Sequence, residues 1–588
     1  MRILPDNSSF PARRQSRKGF ALLIIMFVLG LTMMTLGSYM YRTQVMADLN
    51  HRNNQFRRCM AVAEGATEKV LARMLNDFKV SGPSAVNANL DSYDTIVPNI
   101  NDGLTWTNFT IYDPAGQAAR LDVVQTQART FKALSSKFSG LSGYVTTYEV
   151  RAFANEPLSL YPDVKPGVLQ EIELTQIPAF QFAVFYNKLM EYTYTAPFTL
   201  NGRVHGNKDI YTGSSANLTF NGDVTSVGNN EITEWLGFTM SDFTGSVSFN
   251  SKKETGAGAL NIPISPDADP DGVRDIIELP PPGENPQSWK GQQRMYNKAE
   301  LVIRVTDAGP LVMVKNSLDS VGMQIPEEQV EAFVDTTVSF TDQREGKLVR
   351  ATEIDIAAFS SWAATNTYVI SKLGAGVPPN IVYVSDERSV SAMEMPAIRV
   401  TNGAELPSRG LTIATKNPLY VKGNYNQPDP TKLNTTDTSN TKPASLISDA
   451  VTVLSENWDD SRSHMNFRAR PAAPTTLNAA IMTGNVETAA GATPMNGYSG
   501  GVGNLTRLLE DWKAGGSRKK LTMNGSIIAM FESQIATRQF RWPGFYYYAP
   551  ERDFNLDPNF STENGLPPGT PQVISVVRKS WTQAVSTY

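Results

Sequence analysis

Apolar and polar positions along the chain follow three different rhythms. Residues 1–18 are polar and close on Arg13, Arg14, Arg17 and Lys18. An uncharged run, 19–41, comes next. About 20 apolar residues cross a bilayer as a helix, so this run is long enough, with Phe20 and Tyr41 at its two ends. Beyond it Val45, Leu49, Phe56, Met60, Ala63, Val70, Met74 and Phe78 recur at spacings of three, four or seven, the rhythm of a helix face. No proline interrupts 20–79. The pattern predicts one continuous helix of roughly 90 Å, at about 1.5 Å per residue.

From about residue 81 proline, glycine, asparagine and threonine become frequent, and the apolar runs shorten. Segments 148–154 and 172–177 alternate as half-buried strands do, and 180–186 is more continuously apolar. A repeat follows. Phe198-Thr199-Leu200-Asn201-Gly202-Arg203-Val204 is echoed by Leu218-Thr219-Phe220-Asn221-Gly222-Asp223-Val224, and again by Leu521-Thr522-Met523-Asn524-Gly525-Ser526-Ile527. Each copy is a short β run ending in Asn-Gly, a dipeptide that turns the chain. The first two copies are 20 residues apart, a period that suits one coil of a parallel β-solenoid. Hairpins sharing a turn dipeptide are the plainer alternative. Segments 411–413, 419–423 and 479–486 offer further coils, and 434–440 reads as a solvated loop.

The expected fold class is therefore α+β: a long N-terminal transmembrane helix, then a mostly-β region forming a parallel β-solenoid with an insertion. The expected divisions are a leader 1–19, a helix 20–79, a β-rich linking domain 80–190, coils 191–250, an insertion 251–380 with strands at 301–305 and 312–314, and further coils with a cap over 381–588.

Composition narrows the function. With 588 residues and a net charge of −4, the chain lacks the basic excess of a general nucleic-acid binder, and no specific nucleic-acid partner is expected. One cysteine, Cys59, excludes an intramolecular disulfide framework and a multi-cysteine metal site. Cys59 lies on the long helix and reads as a small packing residue. The histidines are His51, His205 and His464. His205 falls in the first repeat and reads as a coil-surface residue.

Three readings of the N-terminus compete. A secretory signal has a shorter apolar core and a small-residue cleavage site, and no clear A-x-A closes this one. A twin-arginine signal at Arg13-Arg14 lacks apolar residues after the pair. A plain signal anchor fits, with the basic cluster on the cytoplasmic side. Arg17-Lys18-Gly19-Phe20-Ala21-Leu22-Leu23 is sharper: it resembles the leader of type IV prepilins, in which a basic segment ends in Gly and Phe begins the mature chain. Cys59-Met60-Ala61-Val62-Ala63-Glu64-Gly65-Ala66 resembles the alanine-rich segment of PilX-like minor pilins. The resemblance covers about 60 residues. It implies cleavage between Gly19 and Phe20 by a prepilin peptidase, an inner-membrane single-pass anchor with a cytoplasmic N-terminus, and a bulk in the periplasm or on the cell surface. It also implies other pilins or pseudopilins as partners. Pilins carry Glu as the fifth mature residue, which here is Ile24. The pseudopilin at the tip of the type II secretion pseudopilus also lacks that Glu, so a tip or minor subunit is the expected version. Such a head would serve assembly or adhesion, with a surface or polysaccharide ligand.

Three further motifs carry candidate chemistry. Asp267, Asp269, Asp271, the Val273 carbonyl, Asp275 and Glu278 match a calcium-loop spacing, with Gly272 at the bend. The segment resembles the calcium repeats of thrombospondin type 3 and of bacterial surface proteins, which implies structural Ca2+. Arg274 and Pro270 depart from the pattern, and a solvated acidic linker is the alternative. Gly497-Tyr498-Ser499-Gly500-Gly501 matches G-x-S-x-G, but no histidine follows Ser499. It reads as a flexible glycine-rich loop. Residues 538–548 are rich in aromatics and arginine, suited either to stacking on a ligand or to capping a coil end. No catalytic residue is expected. A membrane-anchored carbohydrate-active enzyme on a β-helix, using paired carboxylates, is the alternative function.

Overall fold

The structure, a computed structural model, describes residues 18–193, 197–235, 237–265, 269–493, 495–541 and 544–585. It has one long apolar N-terminal helix and a large β-rich region. Helix α1 (Lys18–Ala88) is two helical stretches joined at a kink, and the first ends close to the expected end at residue 79. At Gly82 the backbone leaves helical geometry, with φ 79, and Pro83 follows. Gly82 is required here: a Cβ would lie 2.5 Å from the Trp289 ring. The break divides the span into two helical stretches, and the second packs through Val86, which is buried.

Behind α1 lies an antiparallel sheet. Its strands are β1 (Thr110–Tyr112), β2 (Asp122–Ala133), β3 (Ser142–Asn155), β4 (Pro166–Pro178) and the C-terminal strand Gln572–Val585. β3 pairs with β1, β2 and β4, and β4 pairs with the C-terminal strand. The register places Gln572 opposite Pro178, and the Ala179 amide donates to the Pro571 carbonyl at 2.9 Å. The chain thus leaves this sheet after β4 and re-enters it at residue 572. Everything between forms the head.

The head is built on a 12-stranded sheet. Its first part runs in parallel from β5 (Phe182–Tyr186) to Arg203–Gly206, Val224–Ser226 and Lys253–Glu254. Its second part runs in parallel through Leu301–Thr306, Ile381–Asp386, Leu411–Ala414, Ala444–Ser448, Ala480–Asn485 and Ile527–Glu532. The two parts join where Ile527 pairs with Val184. The segment expected as an insertion therefore supplies strands to this same sheet. Leu301–Thr306 was legible as a strand, but its partner is 381–386, which no local pattern reveals.

Repeat copies one and two pair side by side, Leu218 on Phe198 and Phe220 on Leu200, with Val247–Phe249 next in line. The Phe220 and Phe249 rings stack at 5.0 Å. Asn201, Asn221 and Asn250 form a side-chain ladder with steps of 2.7 Å. The third copy pairs instead with Thr475–Leu477 and Glu551–Asn555.

Both faces of the large sheet are apolar and buried. Val184, Val204, Ile303, Val384, Ile413 and Leu446 point to the main core. Phe185, Tyr383, Ile447, Met482 and Ile528 point the other way into a second core. That outer face is covered by the segment 255–298, which returns the chain from Lys253–Glu254 to Leu301–Thr306. Leu260, Ile262, Val273, Ile276 and Ile277 fill the second core from this strap. Polar pins fix its path. Asn207 Nδ2 donates to the Leu260 carbonyl at 2.8 Å, and the Tyr383 hydroxyl to the Ile277 carbonyl at 2.7 Å. The Arg274 guanidinium is 2.6 Å from Asp449, with both side chains buried. Asp449 also accepts from the Gln534 and Ala536 amides at 2.6 and 2.8 Å.

Removing one partner of a buried ion pair leaves the other charge uncompensated, which costs about 3 kcal/mol or more. Asp449→Ala is expected to lower the stability of the full chain by that order in chemical denaturation. An unchanged midpoint would show that the strap is not pinned there.

Candidate functional site

Helix α1 and its seat on the sheet are the feature with the clearest functional geometry. Residues 20–54 of α1 are exposed throughout. Phe20 and Tyr41 are 70% and 72% exposed, and no charge lies between them. This part is long and apolar enough to cross a membrane, with a mean hydropathy of 2.4 in its most apolar window. Gly19 falls in the first turn of α1. Ile24 is exposed on the apolar surface.

Beyond residue 54 one stripe of the helix is buried: Gln55, Cys59, Val62, Ala63, Ala66, Val70, Met74 and Phe78. Alternate residues of β3 and β4, among them Tyr148, Val150, Ala152, Val168, Ile172 and Leu174, meet it. Small residues at 63 and 66 let the helix approach closely. The buried stripe differs from the apolar positions expected from sequence: Val45 and Leu49 are exposed, and Gln55 takes the place expected of Phe56. Gln55 Nε2 donates to the Tyr161 carbonyl at 2.7 Å, which is why a polar residue opens the stripe. At the other end Asp77 accepts from Tyr93 Oη at 2.9 Å and Asn89 Nδ2 at 3.1 Å. Gln170 of β4 donates to Glu68 at 3.2 Å. Cys59 is buried as expected, and burial pushes its thiol up to about 11, so it is not a reactive thiolate.

Asp267 of the calcium pattern lies outside the described residues. Asp269 and Asp271 are exposed. Pro270–Val273 forms a helical turn that continues over Arg274–Ile276. Asp275 pairs with Lys290 at 2.7 Å and Arg294 at 3.3 Å, and Glu278 accepts from Arg274 Nε at 2.8 Å. Among the described residues no three or more His, Cys, Asp or Glu side chains converge on a metal position. Arg274, the departure from the pattern, turns inward and takes the carboxylate that would close the loop.

His205 is not a coil-surface residue: it is 2% exposed. It sits on the outer face of the large sheet, where the strap covers it. Its ring meets Thr225 Oγ1 at 2.7 Å and Asn207 Oδ1 at 3.0 Å. Burial pushes it down to about 4, so it is neutral at ordinary pH.

The Ser499 loop is packed rather than solvated. Ser499 Oγ donates to Glu191 at 2.6 Å, joined by Thr488 Oγ1 and Trp235 Nε1, each at 2.7 Å. Burial pushes the Glu191 carboxyl above its ordinary range. Among the described residues, the polar contacts of Ser499 are with this cluster and its own loop. In the aromatic segment Phe540, Tyr546 and Tyr547 are buried in the main core, Phe545 is exposed, and Trp542 lies outside the described residues.

Glu510 is a buried carboxyl that sequence reasoning missed, since nothing near it marks it out. It accepts from the Ser455 amide at 2.6 Å and from Ser455 Oγ at 2.7 Å. Burial raises it from 4.5 to about 7.

Two outcomes follow. Ala66→Leu places extra methyl groups in the helix–sheet core, where Ala66 is fully buried, and is expected to cost about 1–3 kcal/mol, read as a lower thermal midpoint of the full chain in detergent; an unchanged midpoint would mean the seat is loose. For Glu510 the folded state holds the proton more tightly than the unfolded one. Its contribution is therefore complete below about pH 4.5 and is lost as pH rises through about 7. Glu510→Gln is expected to gain on the wild type across that window by on the order of 3 kcal/mol, measured by denaturation at each pH. A constant difference between the two proteins would contradict it.

Comparison of the chain with protein-family models, with characterised proteins and with solved structures returned no match.

Proposed function

We propose that the chain is a pilin-like minor or tip subunit of a type IV pilus or type II secretion pseudopilus. The observation that carries this reading is the division of α1. Its first part is bare and apolar, and its second is seated on an antiparallel sheet. A helix half in the membrane and half packed on an exported domain is the pilin design. The leader would be cut between Gly19 and Phe20 by a prepilin peptidase. The chain would then be held in the inner membrane with its bulk in the periplasm or on the cell surface.

Ile24 in place of Glu speaks for a tip or minor position. So does the head, which fills the chain between β4 and the C-terminal strand. A body of that size fits a filament end more easily than every subunit position. The head itself is read as a parallel β-solenoid for assembly or adhesion. Its support is the 20-residue register: Phe198 with Leu218, Val204 with Val224, and Met190 with Ile210.

Mass spectrometry of the N-terminus from cells tests the reading. A mature chain beginning at Phe20 is expected. A chain intact from Met1 would reduce the protein to a plain membrane anchor.

A further inference from the structure

A cleft of about 360 Å³ opens where three parts of the molecule meet. Its walls are the broken end of α1 at Ser81 and Ser84, the antiparallel sheet, and the strap. The volume is within the range of small-ligand sites, about 300–1,000 Å³.

The lining has a definite chemistry. Its charged residues are Arg129 of β2 and Lys298 of the strap, and among the described residues no aspartate or glutamate lines it. Arg129 is held in place: its guanidinium lies 3.6 Å from the Tyr144 ring centroid, and its Nε donates to Gln176 Oε1 at 2.9 Å. Glu563, a carboxylate that acts on Arg129, is taken by the Tyr144 hydroxyl at 2.9 Å. Lys298 Nζ donates to the Gly569 carbonyl at 3.1 Å. Burial pushes its ammonium down to about 8. Two cations with no carboxylate among the described lining residues suit an anion.

Much of the rest of the lining is amide, beside the hydroxyls of Ser81, Ser84 and Thr570. Gln176 comes from β4, Gln572 from the C-terminal strand, and Gln287 and Gln292 from the strap. Primary amides both donate and accept, so amides on several sides match a ligand dense in hydroxyls. Trp289 forms a further wall, fixed against Gly82.

We propose that this cleft binds a carboxylate-bearing saccharide, with Arg129 and Lys298 on the carboxylate and the glutamine amides on the ring hydroxyls. This deepens the reading of an exported head with a polysaccharide ligand. It is tested on purified chain, so its outcome is independent of leader processing.

The experiment is calorimetric titration of the full chain in detergent with digalacturonic acid, with the neutral disaccharide cellobiose, and with sodium phosphate. Digalacturonic acid is expected to bind saturably, and tighter than either control by about tenfold or more. Arg129→Gln and Lys298→Gln are each expected to weaken it at least about tenfold. Gln292→Glu, a half-exposed position on the strap, is expected to weaken it by repulsion and guards against misfolding of the other two variants. Equal binding of phosphate would make this a plain anion site and overturn the proposal. So would no heat with digalacturonic acid, or binding unchanged in all three variants.

Discussion

A parallel sheet with apolar side chains on both faces cannot leave either face in water. The large sheet of the head is such a sheet apart from two antiparallel strands at one edge, Gly309–Val314 and Met323–Ile325, and the rest of the architecture answers to it. One face closes on the main core with the head's other strands. The opposite face carries Phe185, Tyr383, Ile447, Met482 and Ile528, and two elements cover it. One is the strap. The other is the back of the antiparallel sheet, through Leu134, Phe138, Val145, Ile177 and Val573. One end of the antiparallel sheet is therefore covered twice, by α1 on one side and by the head on the other. Anchor and head are joined through this shared apolar layer and not by a linker.

Apolar contact is non-directional and would let the strap slide. Buried polar groups supply the direction. Arg274 reaches Asp449 and the carbonyls of Glu532 and Lys416, groups that lie on separate turns of the chain. Asn207 makes reciprocal bonds with the Leu260 backbone at 2.8 and 3.0 Å. Arg507 and Glu345, both buried and 2.6 Å apart, tie another pair of distant segments. Each group is satisfied only in one alignment, and misalignment leaves a buried charge or amide unpaired. Specificity of path therefore resides in a few polar residues set in an otherwise slippery interface.

This division explains what the sequence made legible. α1 was readable because its period is local, although Gln55 shows that a buried face need not begin with an apolar residue. The first two repeat copies were readable because adjacent turns place like on like at a fixed offset, as Leu218 sits on Phe198. The third copy shares the motif but pairs with 475–477 and 551–555, since the distances between turns in that half are irregular. The strap was opaque. It has no period, and its acidic spacing suggested a metal loop. Its real partners, such as Asp449 for Arg274, are 175 residues away. The junction of Ile527 with Val184 was equally hidden, because nothing local states which strand completes a sheet.

The break in α1 belongs to the same logic. A straight helix would carry residues 83–88 away from the sheet, yet Val86 is buried in the helix–sheet core. Gly82 bends the chain back, and its missing side chain leaves space for Trp289 of the strap. The strap thus touches the anchor at the point where the anchor turns. Helix, sheet and strap are each held by their own core, so the recess between them is bounded by rigid elements. Polar groups placed there keep their spacing without a ligand, and that is the condition under which a small polar site has defined selectivity. The hydrophobic demands of the head, met by bringing the strap back along the sheet, are what place those groups together.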